Sequence, residues 1–197
     1  MVARPGRPDQ LTLRDSYQEA VQQGDLKGYW SKRWGRSEEY PAWISDTNLP
    51  ALSKEQAVAL YQASGGRRSA EFKSNNLEEI RYSLDFLLYD TIKLEGRFDE
   101  CVAEGGSYTL TGAGKEFVSY LLCLREPSLL GTWNASTERA LRVLDIYPDT
   151  LRKGHWGLRY LDLLEVLQRV RLKLGLGDFR EVDLFAYWVA RMTRASR

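Results

Sequence analysis

The residues best suited to chemistry lie in one short segment, in which Gly112 and Gly114 stand two positions apart and Lys115 follows. Two glycines at this spacing allow a tight turn whose backbone no side chain covers. A helix that begins at Gly114 leaves backbone N–H groups free to bind an oxyanion, and Lys115 adds a positive charge there. The segment therefore predicts a phosphate-binding turn in which Gly112, Gly114 and Lys115 make the contacts.

The same residues suggest two other interpretations of this segment. A nucleotide-binding P-loop requires Gly-x-x-x-x-Gly-Lys-Ser/Thr after a buried strand. Here Glu116 follows Lys115 and the spacing to the earlier glycine is wrong, which excludes that loop and its nucleotide chemistry. An ordinary glycine-containing turn between two helices remains an alternative to the phosphate site.

The elements that must position this turn are helices. From Leu52 onward apolar residues recur at helical spacing, and glycines stand where helices end. Ser53 to Gln56 forms a capping box, and a long helix is expected around 156–174, ended by Gly175. The predicted fold is mainly α: a compact multi-helix domain over residues 51–197 with a central helix-hairpin-helix.

The first fifty residues look different from the rest. Residues 1–10 predict a flexible arm, and three of the six tryptophans follow at Trp30, Trp34 and Trp43. This aromatic segment is expected to be irregular or to form short strands. Its tryptophans either anchor packing or bind a partner protein, and with nearby basic residues they would also suit base stacking.

The composition limits the function classes. The 197 residues carry 28 Lys+Arg against 27 Asp+Glu, with one His and two Cys. A single His and two Cys do not suggest a metal site or a disulfide framework, so no cofactor is expected. No apolar run reaches the length of a membrane helix and the N-terminus lacks a signal peptide, so we expect a cytoplasmic protein without membrane contact.

The order of elements after the turn resembles the helix-hairpin-helix DNA glycosylase superfamily. The resemblance covers about residues 94–148: the glycine turn, a helix, then Trp133-Asn134 and a helix with Arg139 and Leu141. It implies a duplex DNA partner. Bifunctional members carry a catalytic Lys where this chain has Glu116, and active members carry an Asp where this chain has Asn134. An Asn cannot ionise, so the resemblance implies the scaffold without the chemistry.

A second, narrower resemblance is to helical regions that accompany modification-dependent restriction ATPases and related prokaryotic defence proteins. It is carried, in chain order, by Leu87-Leu88-Tyr89-Asp90, Leu94-Glu95-Gly96-Arg97-Phe98, the glycine turn, Trp133-Asn134 and Glu138-Arg139-Ala140-Leu141. In those systems the chemistry is on another part of the polypeptide or on a partner. The resemblance therefore implies an ATPase or nuclease partner protein.

Further basic residues stand where they could extend a DNA footprint. They are Arg67, Arg68, Arg152, Lys153 and Arg159. Together with the turn they predict a non-catalytic duplex DNA-binding module that grips phosphates. Two alternatives stay open: a protein–protein adaptor that uses the tryptophan segment, and a divergent glycosylase or nuclease that uses Glu138 or another acid.

Overall fold

The computed structural model describes residues 10–148 and 155–195, and within these ranges the chain is helical, with no strand. The described residues form eleven α-helices and one 3-10 turn at Leu49–Ala51. No helix among them combines the length and the apolar character needed to cross a membrane. The helices are α1 Gln10–Gln23, α2 Lys27–Trp34, α3 Glu39–Trp43, α4 Lys54–Ala63, α5 Ser69–Ser74, α6 Leu77–Tyr89, α7 Leu94–Val102, α8 Lys115–Arg125, α9 Ala135–Val143, α10 Trp156–Leu174 and α11 Phe179–Ala195.

Helix α8 lies at the centre of the molecule. Every residue from Phe117 to Leu124 is buried, so this helix has no solvent-facing side along most of its length. Helices α3, α6 and α7 pack against it, while α9 packs on α11 and α10 crosses α7. A helix that is apolar on all sides belongs in the core. The position of its first residues, Gly114 and Lys115, is therefore fixed by the most buried element of the fold.

Several helix ends follow local sequence signals. Ser53 and Gln56 form the predicted capping box at α4, and Asn76 with Glu79 forms another at α6. Helix α10 ends at Gly175, whose φ of 65° is left-handed, a conformation that glycine adopts without a steric penalty. These local signals confirm the helical prediction for this part of the chain.

The aromatic segment before residue 50 is not irregular and forms no strands, contrary to the sequence prediction. It forms helices α2 and α3, neither of which has a side-chain cap. Trp34 is 1% exposed and belongs to the common core, which also includes Tyr17 and Trp188. Burial against α4, α8 and α11 outweighs the preference of aromatic residues for strands, because propensity is weaker than tertiary packing.

The start of α10 is held tightly against α7. A Cβ atom on Gly157 would lie 1.8 Å from the carbonyl oxygen of Glu95, so only glycine allows this approach. The Gly157 N–H donates to Asp99 Oδ1 at 3.2 Å. This contact brings the first turn of α10, with Trp156 and Arg159, toward the beginning of α8.

Candidate nucleic-acid interface

The predicted glycine turn is present, but the connection around it is longer than a compact hairpin. Helices α7 and α8 are joined by residues 103–114. The tight turn is the last part of this connection, where the Ala113 N–H donates to the Leu110 carbonyl at 3.0 Å. Gly112 has a φ of 79°, as the third position of a type II turn requires. The tight turn is therefore local to residues 110–113, at the end of a longer connection between α7 and α8.

Gly112 is covered by other parts of the chain, contrary to the expectation that its backbone is open. A Cβ atom there would lie 2.8 Å from the Phe72 nitrogen and 3.0 Å from the Arg68 oxygen, both at α5. The Tyr61 hydroxyl donates to the Gly112 carbonyl at 2.8 Å and accepts from the Arg68 N–H at 3.0 Å. Gly112 therefore packs the turn against α5 and remains only partly exposed.

Gly114 is the open glycine. Its φ of −169° is extended, which any residue can adopt, and nothing lies within 4 Å of a Cβ built on it. No side chain caps α8, and the first N–H groups bonded within the helix are those of Phe117 and Val118, which both donate to the Gly114 carbonyl. The N–H groups of the first helical residues are thus outside the intrahelical pattern, where an anion is favoured by the helix dipole.

The space before Gly114 is a cleft of about 340 Å³ that brings five predicted residues together. The lining includes Gly112, Gly114, Lys115, Arg67 and Arg68, together with Ala135, the first residue of α9. Gly66 allows the segment that carries Arg67 and Arg68 to pack closely on Tyr61, because a Cβ atom on Gly66 would lie 2.3 Å from the Tyr61 ring. The start of α9, where Asn134 caps the Ser136 and Thr137 N–H groups, therefore borders the cleft as well.

The cations of the cleft differ in how they are held. Arg68 forms an ion pair with Glu71, and both side chains are largely exposed. Lys115 Nζ lies 2.5 Å from Glu138 Oε1, and about a quarter of the Lys115 side chain is exposed. Arg67 is exposed and forms no ion pair with another described residue. Among the described lining residues, an incoming anion meets one cation without an ion pair, two that must exchange a carboxylate for it, and the acid Glu116.

Glu138 is the acid that forms an ion pair with Lys115. Partial burial by itself would raise its pKa. Hydrogen bonds from Lys115 and from the Trp133 indole, with the charges of Lys115 and Arg142, outweigh this effect and hold the pKa below its usual value. Arg142 Nη1 lies 3.3 Å from the other carboxylate oxygen. Glu138 is thus an ionised acceptor engaged on both oxygens, which makes it a poor general acid.

Arg159 joins the cluster through two indole rings. Its guanidinium carbon lies 4.4 Å from the Trp156 ring centroid and 5.4 Å from that of Trp133. Lys115 Nζ lies 4.7 Å from the Trp133 centroid and 5.6 Å from that of Trp156. Both cations therefore sit over the same aromatic pair. Arg152 and Lys153, predicted to contribute to this patch, fall outside the described residues.

Asn134, at the position where the resemblance places a catalytic Asp, is part of a buried network. Its Oδ1 caps α9 by accepting from the Ser136 and Thr137 N–H groups at 2.8 and 3.0 Å. Its Nδ2 donates to Asp183 Oδ1 at 2.7 Å. Asn134 is 8% exposed. Both ends of the amide are engaged within the protein, so this side chain has a structural role.

Asp183 is the centre of that network and was missed by the sequence prediction. Its Oδ1 also accepts from the Thr132 hydroxyl at 2.6 Å, while Oδ2 accepts from the Tyr29 hydroxyl and the Trp34 indole. The Nε of Arg33 lies 2.8 Å from Oδ2. A buried carboxylate with this many partners is stable because each partner offsets its loss of hydration. The available signal was a single acid inside the otherwise apolar run 182–190.

The three tryptophans predicted to bind a partner differ in accessibility. Trp34 lies in the core and donates to Asp183, so it offers no surface to a partner. Trp30 and Trp43 are partly exposed, and Trp30 lines a separate cavity between α1, α2 and α11. Tyr29 and Tyr187 stack on each other at 3.8 Å, which explains part of the aromatic content without a ligand.

Comparison of the chain with protein-family models, with curated proteins and with solved structures returned no match.

Proposed function

We propose that this protein binds duplex DNA through the sugar-phosphate backbone at the cleft before α8, and that it does so without catalysing a reaction. The observation that carries the proposal is the meeting of the uncapped start of α8 at Gly114 with the basic side chains of Arg67, Arg68 and Lys115. Backbone N–H groups at a helix start and Lys or Arg side chains are the groups that hold DNA phosphates.

The charge arrangement supports an anionic ligand. Arg67 is unpaired among the described residues, and the exposed Arg68–Glu71 pair can exchange its carboxylate for a phosphate at little cost, whereas Lys115 must leave the more buried Glu138. Arg159 extends the positive surface along Trp156. Contacts of this kind position a protein on DNA but carry no base preference. The expected binding is therefore sensitive to salt and tolerant of sequence.

The absence of catalysis rests on two positions. Glu116 stands where a catalytic Lys is expected from the glycosylase resemblance, and Asn134 stands where a catalytic Asp is expected. The Asn134 amide caps α9 and donates to Asp183. Neither position therefore presents the side chain that the glycosylase chemistry needs. The proposed setting is a cytoplasmic prokaryotic defence or repair system, in which an ATPase or nuclease partner supplies the reaction. This setting is supported by the sequence resemblances.

Titration of a fluorescent duplex by anisotropy tests the proposal. We expect saturable binding at low salt that weakens steeply as salt is raised, with little difference between unrelated sequences. Incubation with duplexes that contain damaged or methylated bases should release no base. Absence of binding at low salt would refute the proposal. Base release that is lost on Glu138→Gln would refute its non-catalytic part.

A further inference from the structure

A second cavity, lined by described residues, lies away from the cleft before α8. It has a volume of about 650 Å³ and is formed by α1, α2, the end of α10 and the start of α11. No residue lines both this cavity and the cleft before α8. Its volume falls within the range of small-molecule sites in proteins, roughly 300–1,000 Å³.

The floor of the cavity is apolar and is part of the hydrophobic core. Tyr17, Leu26, Leu174 and Leu184 line it and are each at most 8% exposed, so they belong to the packed interior. Among the exposed lining residues Val21, 42% exposed, is apolar, and it stands beside the polar side chains of Gln18, Gln22 and Ser31. Together with the partly exposed Trp30 ring, Val21 leaves an apolar surface in contact with water. Such a surface is stabilised when an apolar ligand covers it.

Two cationic side chains also line this cavity. Arg14 lies beside Gly175 at the end of α10, with its Nη2 3.6 Å from the position of a Gly175 Cβ. Lys27 folds back toward Gly24 at the turn between α1 and α2. Neither side chain forms an ion pair with another described residue. Both are free to accept an anionic group.

The other polar groups fit the same ligand. Glu181 is the only acid among the described lining residues, and its Oε2 is already held by the Gly177 N–H at 2.7 Å. Burial, and then the charge of Glu181, raise the pKa of the Tyr17 hydroxyl, so it stays protonated and able to donate a hydrogen bond. The site therefore combines an apolar floor, a hydroxyl donor and two unpaired cations.

We infer that this cavity binds an amphipathic anion, with its apolar body on the Tyr17, Leu26 and Leu184 floor and its carboxylate or similar group paired with Arg14 or Lys27. The charge complementarity selects an anion over a neutral or cationic amphiphile. The apolar floor selects an extended hydrocarbon or aromatic body over a sugar or a free phosphate. This inference is independent of DNA binding, because it uses different elements and different side chains.

Fluorescence of 8-anilinonaphthalene-1-sulfonate, an anionic aromatic probe, tests the inference. We expect saturable binding of one probe per chain and displacement by dodecanoate below its micelle concentration. Dodecan-1-ol, which lacks the charge, should displace the probe about fivefold less effectively, the factor that an exposed ion pair supplies. Probe binding that does not saturate, or equal displacement by the acid and the alcohol, would overturn the inference.

Variants locate the site. Val21→Glu places a charge on the apolar surface of the cavity and should abolish probe binding, whereas Leu129→Glu changes a 66% exposed leucine outside the cavity and should leave it unchanged. The Arg14→Gln, Lys27→Gln double variant should remove the advantage of dodecanoate over dodecan-1-ol. The affinity of each variant for duplex DNA should equal that of the native chain. Loss of probe binding in Leu129→Glu, or an unchanged advantage in the double variant, would contradict the assignment.

Discussion

Replacing Glu138 by Gln should strengthen DNA binding. In the structure Glu138 holds Lys115 at 2.5 Å, so part of the charge that the cleft offers is already neutralised. Gln keeps the size of the side chain and its oxygen can still accept from the Trp133 indole. The substitution therefore weakens the interaction that holds Lys115 and removes one negative charge from the approach of a phosphate.

The size of the effect follows from the geometry. A phosphate oxygen on the far side of the Lys115 ammonium would bring the two anions to roughly 5 Å from each other. Two unit charges at that separation repel by about 0.8 kcal/mol in water and about 3 kcal/mol at an effective dielectric of 20. The Glu138 side chain is 19% exposed, which places the site between these limits. An intermediate value of about 1.4 kcal/mol corresponds to about tenfold tighter binding.

Anisotropy titrations at low salt measure this change against a matched control. Glu165→Gln makes the same change of charge and removes an ion pair with Arg169 in which both side chains are mostly exposed. This pair lies on α10, outside the cleft. We expect about tenfold tighter binding for Glu138→Gln and less than a twofold change for Glu165→Gln. Equal affinities for the two variants would show that Lys115 does not meet the phosphate.

The remaining predictions concern stability and are measured by denaturant unfolding. Asn134→Asp sets a second carboxylate against the buried acid of α11 and should cost roughly 2–4 kcal/mol, whereas Asn76→Asp, at an exposed cap, should cost less than about 0.5 kcal/mol. Equal costs at the two caps would contradict the buried network. Gly112→Ala should cost about 2 kcal/mol or more, because φ is positive and backbone lies 2.8 Å away; Gly114→Ala, in open space, should cost less than about 1 kcal/mol. Because the pKa of Glu138 is lowered in the folded state, its contribution is present above the unfolded pKa and is lost as pH falls through the folded pKa. The stability difference between the native chain and Glu138→Gln should therefore shrink on acidification below about pH 4.5, and a difference that grows would refute this.

The helices with strong local signals could be predicted from the sequence. Helix α10 runs from Trp156 to Leu174 as expected, since its apolar periodicity is long and Gly175 ends it. Helices α2 and α3 could not be predicted, because neither begins with a capping side chain and both are rich in aromatic residues. Their helical state depends on burial against distant elements, which no local window contains.

The candidate site was predictable in its chemistry but not in its assembly. Gly112, Gly114 and Lys115 form one local segment, and their meeting with Arg67 and Arg68 requires the packing of α5 against the turn.

The contacts that modify the site come from still farther along the chain. Lys115 and Glu138 are 23 residues apart, and Trp34 and Asp183 are 149 residues apart. Pairings over such separations are decided by the tertiary fold, so the role of Asn134 in the core had no local signature.

The salt dependence of duplex DNA binding, with two cations of the cleft removed, tests the central claim most directly. Arg67→Gln with Lys115→Gln should weaken binding and make the slope of log affinity against log salt shallower by about 1.8, since each lost phosphate contact removes about 0.9. Arg169→Gln with Lys173→Gln, which removes the same charge from exposed positions of α10, should leave the slope within about 0.5 of the native value. If both double variants change the slope equally, or neither changes it, the cleft before α8 is not the DNA-binding site.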